Sequence, residues 1–120
     1  MHELSIASAI LDAARAEAER RPGARLVKVG VRVGELSAVE PEALSFCFES
    51  LVQGTELAPL ALEIESVARR HRCPQCAHCF TVVDYELACP RCGASATDCI
   101  AGDELELAYL EVEDVGQKAP

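Results

Sequence analysis

CPQCAHCFTVVDYELACPRC, residues 73–92, is the stretch on which the reading of this chain turns. Cys73-Pro-Gln-Cys76 and Cys89-Pro-Arg-Cys92 are two C-x-x-C knuckles separated by twelve residues. Two thiolates spaced by two residues wrap one ion while backbone amides turn back toward the sulfurs. Two such knuckles complete the four-sulfur tetrahedral shell that Zn²⁺ takes in closed structural sites. Proline after the first cysteine of each pair stiffens the turn, and Gly93 after the second pair supplies a permissive backbone position. Thr81–Ala88 is long enough for one strand of a ribbon between the knuckles. A rubredoxin-like iron shell uses similar spacing and is the alternative metal. A ferredoxin cluster is disfavoured: Cys73, Cys76 and Cys79 run C-x-x-C-x-x-C, but the next cysteine follows nine residues later instead of three. Cys79 and Cys99 are then spare thiols, and four thiolates leave no open position for water, so the site reads as non-catalytic.

On either side of the cysteines the periodicity changes. Residues 4–21 read as a helix, because Leu4, Ala7, Leu11, Ala14 and Ala18 step by three and four, and Pro22-Gly23 stops it. Arg20 and Arg21 fall where cations suit its last turn. Val27, Val29, Val31 and Val33 alternate with Lys28, Gly30 and Arg32 as a half-buried strand ended by Gly34. A second helix starts near Pro41 and presents Leu44, Cys47, Phe48 and Leu51 on one face, with Cys47 as a core residue, and Gly54 closes it. Leu60, Leu62 and Ile64 alternate with Glu63 and Glu65 as a second strand. Residues 105–113 make a third, whose apolar phase slips between Leu107 and Leu110, so a bulge near Tyr109 is expected. The fold class is therefore α+β: two helices packed on a small three-stranded sheet, with an inserted four-cysteine, zinc-ribbon-like lobe. The expected division is residues 1–68 plus 101–120 as one domain and residues 69–100 as the zinc-binding domain.

Composition narrows the function classes. The chain has 120 residues, a formal net charge of −9, no tryptophan and five other aromatics, so its core rests on Leu, Val, Ile and Ala. Residues 1–68 carry eleven acids against six bases and residues 101–120 six against one, whereas residues 69–100 carry three acids and four bases. An acidic protein of this kind repels a phosphate backbone, so no nucleic-acid partner is expected. A zinc-ribbon nucleic-acid module would need a basic face with interleaved aromatics, and Arg69, Arg70 and Arg72 form only one short cluster. A thiol oxidoreductase would need its C-x-x-C between a strand and a helix with one exposed thiol. No apolar stretch reaches membrane-span length, and no basic stretch precedes the first apolar one. Seven cysteines, an odd number, without an export signal argue for reduced thiols and a cytoplasmic protein.

The N-terminus carries a second constellation. The Met1 amine, the deprotonated amide nitrogen of His2 and His2 Nδ1 can close one five-membered and one six-membered chelate ring. Such a nitrogen-rich planar set suits Ni²⁺ or Cu²⁺, and Glu3 can add its amide or its carboxylate. Any chain starting Met-His has these atoms, so the spacing alone is weak.

Met1-His2-Glu3-Leu4-Ser5, Val33-Gly34-Glu35-Leu36-Ser37 and Phe46-Cys47-Phe48-Glu49 together resemble the HypA family of hydrogenase-maturation nickel metallochaperones. The resemblance continues through both cysteine pairs to Leu110-Glu111-Val112-Glu113. It implies a nickel-binding lobe, an inserted zinc lobe and no catalytic activity. Ni²⁺ would be the transferred ion, with His2 as principal ligand and the Met1 amine and Glu3 beside it. Zn²⁺ would be structural, on Cys73, Cys76, Cys89 and Cys92. A HypB-type GTPase would be the partner and the large subunit of NiFe-hydrogenase the client, with urease and its accessory proteins served by some relatives. Oligomeric state is open between a monomer and a homodimer. His71 and His78 read as exposed histidines, with recruitment to nickel as the alternative, and Glu40 reads as a helix-start acid or a further oxygen ligand.

Overall fold

The computed structural model describes residues 3–114; Met1, His2 and residues 115–120 lie outside the described residues. The elements run α1 (Glu3–Glu19), β1 (Ala24–Gly34), a 3-10 turn (Glu35–Ser37), α2 (Pro41–Val52), β2 (Ala61–Val67), β3 (Arg70–Arg72), β4 (Cys79–Thr81), β5 (Asp98–Ala101) and β6 (Leu105–Asp114). The chain is α+β and divides into two compact units. One takes Met1–Val31, Val39–Glu65 and Glu106–Pro120, and the other Arg32–Ala38 and Ser66–Leu105.

The first unit packs α1 against α2 beside a three-stranded sheet of order β2-β1-β6. α1 buries Ile6, Ala7, Leu11 and Ala14. The apolar stripe is therefore rotated toward Ile6, and Leu4, on its far rim in the first turn, is 52% exposed rather than part of the core. The helix also stops at Glu19, short of Arg20 and Arg21. Their amides instead bond the carbonyls of Glu17 and Ala18 in a closing turn that Gly23, at φ 84°, completes. α2 begins as the sequence suggests, with Pro41 at its first position, and the Glu40 carboxylate caps it by accepting the Glu42 amide at 3.0 Å. It buries Leu44, Phe48 and Val52; Cys47 is half-buried, at the edge of that face instead of inside it.

β1 is the central strand and the most buried, with Val29, Val31 and Val33 on one face. Its other face is capped by an aromatic: a Cβ on Gly30 would collide with the Tyr109 ring, so glycine there leaves room for the ring to lie on the strand. Tyr109 in turn donates its hydroxyl to Glu63, and this bond is the first cause that lifts the phenol to about 12. Leu107 and Ala108 are both half-buried, after which Leu110 and Val112 alternate with exposed Glu111 and Glu113. Half-buried residues therefore fall on both faces of β6, Leu107 on one and Ala108, Leu110 and Val112 on the other.

The second unit holds a three-stranded sheet of order β4-β3-β5, with β3 antiparallel to both neighbours. Neither β3 nor β5 shows in the hydrophobic pattern, because β3 is Arg-His-Arg and its one inward residue is a histidine. The ribbon strand expected over Thr81–Ala88 is absent beyond Thr81. Asp84 and Tyr85 take left-handed conformations at φ 55° and 60° and reverse the chain, and the Glu86 amide bonds the Val83 carbonyl at 3.0 Å. A backbone clasp closes the unit. Gly34 and Leu36 donate to the carbonyls of Glu104 and Gly102 at 2.7 and 2.6 Å, and the Glu35 carboxylate accepts the Arg69 amide at 2.9 Å. The approach is close enough that a Cβ on Gly34 would strike the Gly102 carbonyl, which fixes the glycine of Val33-Gly34-Glu35.

Candidate metal centre

The two knuckles are built alike. In the first, the Ala77 amide bonds the Cys73 carbonyl at 2.8 Å and the Cys73 amide bonds the His78 carbonyl at 2.9 Å. In the second, Gly93 bonds Cys89 and Cys89 bonds Ala94, both at 2.9 Å. Each turn closes on a left-handed residue, Ala77 at φ 65° and Gly93 at φ 82°. Amides point at sulfur in both: Gln75 N–H to Cys73 Sγ at 3.3 Å, and Arg91 and Cys92 N–H to Cys89 Sγ at 3.4 Å. Facing each other, the knuckles bring the Cys73 and Cys92 sulfurs to 3.6 Å and the Cys76 and Cys89 sulfurs to 3.7 Å, and all four lie within 4.8 Å of one another.

These separations decide what the cluster can do. A disulfide requires about 2.0 Å between sulfurs, so these are four free thiols. Sulfurs at about 2.3 Å from a tetrahedral ion lie about 3.8 Å apart, close to the cross-knuckle distances. The donor set therefore fits one four-coordinate, thiophilic metal ion. The thiols are electronically unequal. Burial opposes ionisation of Cys89, but the amides of Cys92 and Arg91 and the Cys76 thiol outweigh it and lower the group to about 6. At Cys92 the Ala94 amide favours the thiolate, yet the neighbouring Cys73 sulfur, burial and the other two thiols prevail and raise it to about 11. Four thiolates in one shell cannot share a site without a cation to neutralise them.

The remaining cysteines stand apart from this cluster. Cys79 is exposed on β4 opposite Arg72, and Cys99 is exposed on β5 with its sulfur directed at the Ala101 carbonyl at 3.4 Å. Among the described residues no second cluster of three or more metal-ligating side chains occurs. Nor is His71 the exposed histidine expected. It is 3% exposed, with Nε2 accepting from Arg69 Nε at 3.0 Å and Nδ1 2.9 Å from Thr97 Oγ1. Since Nε2 accepts, the proton is assigned to Nδ1, which donates to Thr97, whose hydroxyl donates to the Leu87 carbonyl at 2.6 Å. Both ring nitrogens are thereby taken up, Nε2 by Arg69 just before β3 and Nδ1 in joining β3 to the segments around Thr97 and Leu87. His78 is half-buried and stacks on Phe80 with centroids 6.1 Å apart and planes 14° off parallel.

Of the N-terminal constellation, Met1 and His2 lie outside the described residues. Glu3 opens α1, and its Oε2 accepts the Glu40 amide at 3.0 Å.

The family model described as "Hydrogenase/urease nickel incorporation, metallochaperone, hypA" matches residues 1–112. The chain belongs to the HypA family. HypA proteins are maturation factors, metallochaperones rather than enzymes. Similar relatives include the hydrogenase maturation factor HypA of Geobacter sulfurreducens, 42% identical over 113 residues that cover 94% of this chain and 100% of the relative. That of Streptomyces avermitilis is 39% identical over 116 residues, covering 95% and 88%. Among solved structures, one solution structure of a HypA protein aligns with TM-score 0.69 at 25% identity, covering 94% of this chain and 97% of that one. The solution structure of the nickel metallochaperone HypA from Helicobacter pylori aligns with TM-score 0.63 at 23% identity over 98% of this chain and 100% of that one, a likeness of fold. Sequence reasoning reached the four clustered cysteines directly, because spacing alone encodes a knuckle. It missed the Arg69–His71–Thr97–Leu87 chain, for which only the polar character of a short strand could have served as a signal.

Proposed function

We propose that this chain is a nickel metallochaperone that captures Ni²⁺ at its N-terminus and passes it, with a HypB-type GTPase, to the large subunit of NiFe-hydrogenase in the cytoplasm, urease being the other client its family serves. The Met1 amine, the His2 amide nitrogen and His2 Nδ1 form the chelate, with Glu3 beside it. Nitrogen donors of this kind hold Ni²⁺ well, and the ion passes to the client by exchange for the client's own ligands. The observation that carries the reading is the family match over residues 1–112, which runs through the N-terminal motif and both knuckles.

Cys73, Cys76, Cys89 and Cys92 hold structural Zn²⁺. Four sulfurs at tetrahedral separations leave no position for cargo to enter, so this ion is resident while nickel is transferred. Residues 69–100 then act as a zinc lobe whose ion supplies much of its folding energy, and residues 1–68 with 101–120 act as the nickel lobe. Mixing nickel-loaded protein with metal-free hydrogenase large subunit tests the proposal. Nickel should appear in the client, faster with the GTPase and GTP present, while zinc stays behind. Movement of zinc in place of nickel, or no movement of either, would refute it.

A further inference from the structure

Two acidic side chains sit at the start of α2, and neither is idle. Glu40 Oε1 accepts the Glu42 amide at 3.0 Å as the N-cap of α2, and Glu3 Oε2 accepts the Glu40 amide, also at 3.0 Å. The Glu3 carboxylate thus lies in the first turn of α1 and bonds the N-cap residue of α2. Both helices present their positive ends there, so the anion is favoured by two dipoles at once. Its bond spans thirty-seven residues of sequence and ties the beginnings of the two packed helices together.

From this we infer that Glu3 acts in nickel binding as a positioning residue and not as a carboxylate ligand: its side chain straps the start of α1 to the N-cap of α2 and so fixes the chain from which Met1 and His2 extend. This rests on the N-terminal nickel reading above. Swinging the carboxylate toward a metal would uncap the Glu40 amide and take the charge away from the α2 terminus. A strap, by contrast, leaves the nitrogen donors their geometry and lowers the entropy lost when a chelate forms. Outer partners that only orient ligands still matter, typically by about 10–100-fold in metal affinity.

Glutamine and alanine separate the two roles. Gln Oε1 still accepts an amide hydrogen but is a poor substitute for an anionic ligand, whereas alanine removes both functions. The experiment compares the full chain with Glu3→Gln, Glu3→Ala and His2→Ala, each with a free N-terminus, by nickel titration and by hydrogen exchange at the Glu40 amide. Glu3→Gln should bind Ni²⁺ within about twofold of the parent, with unchanged nickel absorption bands and a protected Glu40 amide. Glu3→Ala should lose about tenfold or more and expose that amide. Equal loss in Glu3→Gln and Glu3→Ala would make the carboxylate a ligand and overturn the inference, as would full affinity in Glu3→Ala. His2→Ala keeps the questions apart: if it binds nickel like the parent, the N-terminal reading itself fails, whatever the Glu3 variants do.

Discussion

Ala77 and Gly93 occupy the same place in the two knuckles, and exchanging their side chains isolates the backbone contribution to the metal centre. Each follows the second cysteine of its pair, donates its amide to the first cysteine's carbonyl and has positive φ, 65° and 82°. A Cβ on Gly93 would have nothing within 4 Å, so Gly93→Ala carries no packing cost, only that of a left-handed alanine. That strain is roughly 1–2 kcal/mol. The stiffer unfolded chain returns about 0.4–1 kcal/mol, which leaves a net loss of about 1 kcal/mol. Ala77→Gly should gain about the same amount, by the same reasoning reversed. Because metal binding is coupled to the folding of so small a lobe, about 1 kcal/mol corresponds to about a fivefold change in apparent zinc affinity. Chelator competition on the full chain should therefore show Gly93→Ala releasing zinc at about fivefold lower chelator concentration and Ala77→Gly holding it better. The double exchange should sit near the parent. A neutral Gly93→Ala, or an Ala77→Gly that weakens the site, would refute the equivalence of the two turns.

Three further outcomes are expected. Stripped of metal, the chain should be most stable near pH 9: Cys89, lowered from 9.0 to about 6, adds stability that is complete above pH 9 and lost as pH falls through 6, and Cys92, raised to about 11, adds stability that is lost as pH rises from 9 through 11. Chemical denaturation of the chelated protein from acid to alkaline pH measures this, and a stability maximum at or below pH 6 would contradict it. Gly30→Val should cost about 2 kcal/mol or more, because its side chain and the Tyr109 ring need the same space, and Tyr109→Ala should rescue part of that loss in a double-variant melt. Cys73→Ser should empty the zinc site while Cys79→Ser leaves zinc at the parent ratio; full zinc in the first and loss in the second would reassign the ligands.

Much of this molecule is legible from sequence because its strongest signals are local. A knuckle is four residues long, and Val27 to Val33 alternate without interruption, so the four thiols and the central strand follow from spacing. Pro41 and Gly54 bracket α2 for equally local reasons. What escaped is set by tertiary partners. Leu4 lies at the rim of its helix stripe and Ile6 is buried instead, a choice made by the face α1 turns inward. His71 reads as a surface residue within Arg-Arg-His-Arg, yet Arg69 and Thr97 satisfy both its nitrogens and allow its burial. The strand expected after Thr81 gives way at Asp84 and Tyr85, whose left-handed turn no glycine advertises. Glu3 is visible as an N-terminal acid, but its bond to the Glu40 amide crosses between helices and has no sequence signature.

The central claim, capture of nickel by the N-terminal amine and His2, is tested most directly by one nickel isotherm repeated on three proteins. These are the parent with a free amine, the parent acetylated at Met1, and His2→Ala, with zinc measured in each sample. Acetylation removes one chelate ring and His2→Ala the other, and neither touches the four thiols. Nickel affinity should fall by at least about tenfold in both altered proteins, while zinc stays at about one per chain, as a closed four-cysteine site holds it. Unchanged nickel affinity in the acetylated or His2→Ala protein would contradict the claim and place the nickel donors elsewhere in the chain.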